Sequence, residues 1–139
     1  MALQLSVAVR NARLDAIEVT IGASAVVKIR TGAQPANCAA ADTGTVLASL
    51  TLPADWMSAA AAGVKGRLGT WQDPTADNAG TAAHFRLYAS DGVTCGMQGS
   101  VTATGGGGDM TVDNVVIAAG QVVTITGTPT GFDLTDGNP

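Results

Sequence analysis

The residue types that nucleophilic catalysis requires are concentrated in one short segment, residues 84–98, with the sequence HFRLYASDGVTCGMQ. The segment holds the single histidine, His84, the single tyrosine, Tyr88, and one of the two cysteines, Cys95. A cysteine and a histidine on one surface would supply a nucleophile and its general base. Whether these side chains can meet depends on the strands that carry them.

Alternating apolar and polar side chains predict that TAAHFRLYA (81–89) is a β-strand. Phe85 and Leu87 fall on the expected core face. The opposite face carries a polar row that consists of His84, Arg86 and Tyr88. We expect this row to face solvent or another subunit, which makes Arg86 and Tyr88 candidate contact residues.

A tight turn at residues 90–92 followed by VTCGMQGSV (93–101) predicts a β-hairpin. A two-residue turn places Tyr88 opposite Cys95 and His84 opposite Gly99. The His84 and Cys95 side chains are then too far apart to form a catalytic pair, and the alternation assigns Cys95 to the core as a small apolar residue. The chain also lacks the G-x-S-x-G elbow of serine hydrolases. We therefore predict no enzymatic activity.

Two further patterns resemble ligand sites only superficially. The run TGGGGD (104–109) lacks the Lys and Ser/Thr that complete a phosphate-binding loop, so we interpret it as a loop between strands. Carboxylates that could converge on calcium are Asp73, Asp77, Asp109 and Asp113. The EF-hand pattern is absent, and aspartates are common in turns. We predict neither a metal ion nor a cofactor.

The cysteines and tryptophans have structural and functional interpretations. Cys38 and Cys95 match no metal-ligand spacing, and in a reducing compartment we expect two buried free thiols. Trp56 and Trp71 each lie beside a turn or loop among small residues. They are candidates to anchor a partner or to stack on a sugar, and the alternative, which we favour, is that they fill the end of a β core.

Composition favours a protein that works in an assembly. Charged residues make up 13% of the 139-residue chain, and the mean hydropathy is +0.26. Such a surface is suited to being covered by neighbouring subunits, although a small soluble domain with a weakly charged surface is the alternative. A net charge of −4 with seven Lys and Arg argues against nucleic-acid binding. No apolar run is long enough for a membrane helix, and charges interrupt the first 20 residues where a signal peptide would be apolar.

The segment LQLSVAVRNARLDAIEVTI (3–21) predicts an amphipathic helix. Ser6 is placed to cap its start, and Gly22 to end it. One apolar stripe of this helix comprises Val7, Leu14, Ile17 and Ile21. We expect the stripe to be buried against the protein's own sheet or against a neighbouring subunit.

The remainder predicts about seven short strands, near residues 24–32, 45–52, 63–71, 81–89, 93–101, 110–118 and 121–127. A turn-rich connection occupies residues 33–44, and PADWMSAAAA (53–62) predicts a short helix that begins at Pro53. Short, closely spaced strands indicate a mainly β fold, a jelly-roll-like or Greek-key β-sandwich with an N-terminal α-helix. We divide the chain into a helix or arm (1–22), a β-sandwich domain (23–127) and a C-terminal tail (128–139) that forms an arm.

These segments together resemble a pattern found in small structural proteins of tailed bacteriophages. Within residues 80–127 the pattern consists of an HFR-type strand, a short turn, a GSV return strand, a glycine-rich loop, a DMTVDN strand and a GQVVTIT strand. Residues 2–22 (ALQLSVAVRNARLDAIEVTIG), 29–44 (IRTGAQPANCAAADTG) and 50–56 (LTLPADW) resemble the start of such proteins. The resemblance covers most of the chain and contains no catalytic signature.

The resemblance implies a virion component assembled in the bacterial cytoplasm, namely a capsid decoration or cement protein. Its partners would be copies of itself and the major capsid protein, without nucleic acid or membrane. A head–tail connector or tail component is one alternative, and a surface carbohydrate-binding module that uses Trp56 or Trp71 is another. We expect the helix stripe and the tail from Thr128 onward to make the contacts.

Overall fold

A computed structural model describes residues 3–125 and 132–135 of the chain. Its single described helix is α1 (Val7–Ile21). The described strands are β1 (Val26–Arg30), β2 (Val46–Thr51), β3 (Val64–Lys65), β4 (Trp71–Asp73), β5 (Gly80–Thr81), β6 (His84–Tyr88), β7 (Cys95–Ala103), β8 (Met110–Val112), β9 (Val116–Ile117), β10 (Val123–Ile125) and β11 (Leu134–Thr135). The prediction of a mainly β protein with an N-terminal helix is confirmed.

The largest sheet has five strands in the order β2-β1-β6-β7-β8. Its neighbours are antiparallel except for β7 and β8, which are parallel. The remaining strands form the two-stranded pairs β10–β4, β11–β3 and β5–β9. The result is a curled, half-barrel sheet with small accessory pairs, and it is not clearly a jelly-roll sandwich.

Both predicted caps of α1 are confirmed. The Ser6 hydroxyl accepts a hydrogen bond from the Val9 amide at 3.3 Å, so the helix begins at Val7 rather than at residue 3. Gly22 has φ +94°, and its amide donates to the Glu18 carbonyl at 2.8 Å. No helix in the described ranges is long and apolar enough to cross a membrane.

The core lies against the apolar face of the five-stranded sheet and includes both tryptophans. Trp56 and Trp71 are fully buried, and their ring centroids are 6.0 Å apart. Each indole N–H donates to backbone oxygen: Trp56 to Gly22 at 2.9 Å, and Trp71 to the carbonyls of Trp56 and Leu68 at 3.2 Å each. Trp56 and Trp71 therefore fill the core, and their assignment as exposed interface or sugar-stacking residues is wrong.

The described part of the C-terminal tail belongs to this core and does not form a free arm. The Phe132 ring is buried, with centroid distances of 5.7 Å to Trp71 and 5.4 Å to Phe85. Leu134 and Thr135 pair with Lys65 and Val64 in the β11–β3 ladder. The rest of the predicted tail, residues 128–131 and 136–139, lies outside the described residues. Removal of the tail would therefore remove a core side chain, so the prediction that the tail forms an arm is wrong for its described residues.

The helix predicted at 53–62 is also wrong. In this segment Met57 forms an isolated antiparallel bridge with Arg67, and Ala61 forms one with Val64. Several amides between residues 56 and 63 donate to side chains of α1 instead of to carbonyls of their own segment. Since those donors are used by another element, the segment has no need of helical hydrogen bonds.

Candidate functional site

The β6–β7 hairpin differs from its predicted register by one bulge. Tyr88 pairs with Cys95, as expected. A register shift between Leu87 and Tyr88 then places His84 opposite Ser100 instead of Gly99. His84 and Cys95 thus lie at opposite ends of the paired strands.

The polar row on β6 faces the protein interior, so its assignment to solvent or to a subunit contact is wrong. Arg86 is 1% exposed, and Tyr88 and His84 are equally buried. The reason is the β1–β2 connection, residues 31–45, which folds across this face of the sheet. Strand β6 is consequently buried on both faces.

Arg86 organises the β1–β2 connection. Its guanidinium donates to the carbonyl oxygens of Ala40 at 3.0 Å, Cys38 at 2.8 Å and Asn37 at 3.3 Å, and it also bonds the Asp42 carboxylate. Burial alone would lower the pKa of Arg86, but the neighbouring Cys95 and Asp42 side chains raise that pKa. Arg86 is therefore always charged, and the several hydrogen bonds from its guanidinium fix the β1–β2 connection in place.

Asp42 completes what we call the polar network, which consists of Arg30, Asp42, His84, Arg86 and Tyr88. Its Oδ2 accepts from Arg30 at 2.7 Å, and its Oδ1 accepts from the Tyr88 hydroxyl at 2.8 Å. Burial would raise the pKa of Asp42, but these hydrogen bonds and the two arginine charges lower it. Burial and the bond to Asp42 raise the pKa of Tyr88 to about 12, so its hydroxyl stays protonated at neutral pH.

His84 sits in this network as a neutral side chain. Its Nδ1 lies 2.9 Å from the Gly32 carbonyl, which makes Nδ1 the protonated nitrogen. Its Nε2 is buried without a hydrogen-bond partner. Burial lowers the pKa of His84, and the nearby Arg30 and Arg86 charges add to that effect. The polar network therefore attaches the β1–β2 connection to strand β6. None of its five members is a nucleophile paired with a general base.

Cys95 does not occupy the core face to which alternation assigned it. The bulge turns its side chain toward the polar face, where the thiol interacts with Cys38 and Arg86. Both cysteines are free thiols and are half-buried rather than fully buried.

Three of the four carboxylates considered as calcium ligands, those of Asp73, Asp77 and Asp109, accept hydrogen bonds from the protein itself. Asp73 accepts from the amides of Ser49 and Thr75, each at 2.9 Å. Asp109 accepts from the Ser100 amide at 2.8 Å and from its hydroxyl at 2.9 Å. Within the described part of the chain, no three His, Cys, Asp or Glu side chains are grouped so that they could hold a metal ion.

Helix α1 is attached to the body largely through polar side chains, so its predicted apolar stripe is only partly buried within the chain, and burial of the rest against a neighbouring subunit stays a prediction. Glu18 accepts from the amides of Trp56 (3.1 Å) and Met57 (3.0 Å). Asp15 accepts from Ala60, and Asn11 from Gly63, each at 2.9 Å. Residues 11, 15 and 18 are spaced four and three apart, so they form one face of the helix.

A buried lysine strengthens this attachment. Lys65 Nζ lies 2.8 Å from Asp15, 2.9 Å from Glu18 and 2.9 Å from the Ser58 carbonyl. The hydrogen bond from Lys65 is the main cause of the lowered pKa of Asp15. Burial would lower the pKa of Lys65, but the two carboxylates raise it. The pair of carboxylates therefore stays ionised at neutral pH and keeps the lysine charged.

Because α1 docks through its polar face, much of its apolar surface stays uncovered. Of the predicted stripe, only Leu14 is buried, Ile17 and Ile21 are half-buried, and Val7 is exposed. A groove of about 420 Å³ runs between α1 and the β6–β7 hairpin. We call it the helix–hairpin groove, and its lining residues are Arg13, Ala16, Ile17, Thr20, Ile21, Ala89, Thr94, Cys95 and Gly96.

The same two elements carry exposed valines next to the groove residues in sequence. Val19 on α1 is 81% exposed, and Val93 at the hairpin turn is 76% exposed. Inside the groove, Ile21 packs on Gly96, where an added Cβ would lie 2.5 Å from Ile21 Cγ1. The glycine thus permits the close approach of helix and hairpin that shapes the groove.

Comparison with known proteins supplies no further guide to this surface. No protein family, curated protein or solved structure matches the chain.

Proposed function

We propose that this chain is a structural protein of a tailed-bacteriophage virion. It decorates the head shell, where it contacts copies of itself and the major capsid protein after assembly in the bacterial cytoplasm. The proposal rests on the sequence resemblance described above and on the helix–hairpin groove. The jelly-roll-like or Greek-key relationship expected from the strand spacing stays a prediction within this proposal.

The observation that carries the proposal is the uncovered apolar side of α1. Apolar side chains on a helix are normally turned toward the body of the protein. Here that side is covered only in part, because Leu14 is buried but Ile17 and Ile21 are half-buried, while ion pairs and hydrogen bonds hold the helix through its polar face. A protein partner that covers the groove would remove its apolar surface from water, at about 25 cal/mol per Å².

Repetition makes a modest interface sufficient for a decoration protein. A stable contact between two proteins covers about 800 Å² on each partner. On a shell, each subunit touches several neighbours, so that individually weak contacts combine. The helix–hairpin groove supplies one such surface.

The charge distribution supports a protein partner rather than nucleic acid. Three of the seven cationic residues, Arg30, Lys65 and Arg86, are buried in ion pairs with carboxylates. Those charges are not available to neutralise phosphates. The buried tryptophans likewise offer no exposed ring on which a sugar could stack, which argues against the carbohydrate-binding alternative.

A charge placed in the groove tests the proposal. Ala16 lines the groove and is exposed, so Ala16→Glu should leave the fold intact while it opposes burial of the groove by a partner. Particles lacking the protein are incubated with each variant, and bound copies are counted by quantitative mass spectrometry. We expect occupancy to fall about tenfold, which corresponds to about 1.4 kcal/mol.

The matched control is Ala8→Glu, because Ala8 is an exposed alanine of the same helix that does not line the groove. Its occupancy should equal that of the wild type. Equal binding by Ala16→Glu and the wild type would mean that the groove is not the surface that contacts the particle. Failure of the wild-type protein to bind any particle would reject the virion role itself.

A further inference from the structure

The two cysteines of the chain are brought together although they are far apart in the sequence. Cys38 lies in the β1–β2 connection and Cys95 begins β7, and their thiol groups are close enough to interact. The same connection also bonds β7 directly, because the Gln98 side-chain amide donates to the Pro35 carbonyl at 2.7 Å. The Cys95 Sγ also lies 3.4 Å from the Met97 carbonyl. Both are free thiols, and neither is fully enclosed, so a small reagent can approach them.

Contacts with members of the polar network fix the backbone positions of both cysteines. Arg86 donates to the Cys38 carbonyl at 2.8 Å, which fixes the connection above the sheet at that residue. On the other side, the pairing of Cys95 with Tyr88 fixes the position of Cys95 on the neighbouring strand. Tyr88 in turn bonds Asp42, which belongs to the same connection as Cys38. The two backbones that carry the thiols are therefore both anchored.

We propose that Cys38 and Cys95 form a disulfide cross-link when the protein passes from a reducing to an oxidising environment. The bond would tie the β1–β2 connection to β7 across the intervening strand β6. This inference goes beyond the proposed virion role and does not depend on it. It would suit a subunit that folds in a reducing cytoplasm and later functions outside the cell.

The reaction requires an oxidant, for which a disulfide such as oxidised glutathione is sufficient. One cysteine thiolate attacks a glutathione sulfur, the glutathione S–S bond breaks, and one reduced glutathione leaves. The second cysteine thiolate then attacks the mixed disulfide, forms the Cys38–Cys95 bond and releases the second glutathione. In total the two cysteines lose two protons and two electrons, and oxidised glutathione gains them.

The environment of Cys95 makes this step pH-dependent. Burial raises the pKa of Cys95, and the contact with Cys38 adds to that effect, while Arg86 opposes it. Since the thiolate is the reactive form, cross-linking should become faster as the pH increases above neutrality.

The experiment compares reduced and glutathione-oxidised samples of the full-length wild-type chain. After oxidation, we expect both thiols to be lost, the mass to fall by two hydrogen atoms, and the chain to remain a single polypeptide on a non-reducing gel. The midpoint of thermal unfolding should rise by roughly 10 °C, because a cross-link of this span restricts the unfolded chain. Addition of a reductant should reverse all of these changes.

Cys38→Ser and Cys95→Ser are the matched controls. Each should take up one glutathionyl group and show no increase in the unfolding midpoint. The inference is overturned if the native wild-type chain keeps both thiols, carries two glutathionyl groups, or links to a second chain. The comparison of oxidised with reduced wild type does not depend on whether a variant folds.

Discussion

At the scale of single residues, Arg86 holds the β1–β2 connection against the sheet. It is 1% exposed, and its donors satisfy three carbonyl groups and one carboxylate of the β1–β2 connection. Arg86→Met keeps much of the volume but leaves these acceptors without a partner. We expect the free energy of unfolding in urea to fall by about 3–5 kcal/mol.

The control for this substitution is Arg67→Met. Arg67 is half-buried, and its guanidinium makes an exposed hydrogen bond to the Gly69 carbonyl two residues away, so the loss should be smaller, about 1 kcal/mol. If Arg86→Met costs no more than Arg67→Met, the connection is not held by Arg86.

His84 should make the free energy of unfolding depend on pH in a range above that in which the carboxylates titrate. It faces Arg30, Arg86, Asp42 and the Gly32 carbonyl, and its pKa in the folded state is lower than in the unfolded chain. A lowered pKa means that the unfolded chain binds a proton first as the pH falls, so stability is full above about pH 6.5 and is lost below it. The free energy of unfolding of the wild type should therefore fall between pH 7 and pH 5.

His84→Asn supplies the comparison, because its amide can still donate to the Gly32 carbonyl but does not titrate. Its unfolding free energy should change little over the same range. The carboxylates with lowered pKa values, such as Asp42 and Asp15, affect stability only at lower pH. A wild-type stability that is flat between pH 7 and pH 5 would contradict the buried, neutral His84.

The same residues show what alternation can and cannot predict. It correctly separated Phe85 and Leu87 from Arg86 and Tyr88, because successive side chains of a strand point to opposite faces. It could not show that the β1–β2 connection covers the polar face. A signal was present in the sequence: two arginines on neighbouring strands face one way, and Asp42 lies in the long connection between β1 and β2.

At the scale of elements, some features of helix α1 could be predicted from the sequence and others could not. Its caps, Ser6 and Gly22, were predictable because capping is a local interaction. Its docking face was not, since Asp15 and Glu18 satisfy amides some forty residues further along the chain. Sequence periodicity identifies the more apolar face of a helix, but it contains no information on backbone amides that are distant in the sequence.

The C-terminal segment gives the prediction at this scale. Phe132 contacts the rings of Trp71 and Phe85 in the core, so Phe132→Ala should lower the free energy of unfolding by about 3–5 kcal/mol. A chain that ends at residue 127 should lose at least as much, because the β11–β3 pairing goes with it. Chemical denaturation of both variants measures the effect.

Phe132→Leu is the control, because it retains an apolar side chain and should cost less than the alanine variant. A truncated chain with the stability of the wild type would mean that the segment is a dispensable arm after all.

At the scale of the whole molecule, several charged side chains are buried while several large apolar side chains are exposed. Several charged side chains, among them Arg30, Lys65 and Arg86, are used inside the fold to hold a connection and a helix. Apolar residues such as Val19 and Val93 lie outside. The low content of charged residues is accompanied by apolar surface at the helix–hairpin groove, and the assembly that composition suggested stays a prediction.

The strand content and the helix could be predicted at this scale, whereas the sheet order could not. Local alternation identifies strands such as β1 and β6, but their pairing joins residues more than fifty positions apart. Non-local pairing of this kind depends on the complete packed core, including Phe132, which sequence patterns had assigned to a tail.

The most direct test of the proposed virion role is a cryo-electron microscopy map of phage particles purified from the source of this sequence. We predict on the order of hundreds of copies on the head shell, each with its helix–hairpin groove against the capsid protein or a second copy. A particle without the protein, or one in which it occurs only as a ring at the neck or tail, would contradict the proposed decoration of the head.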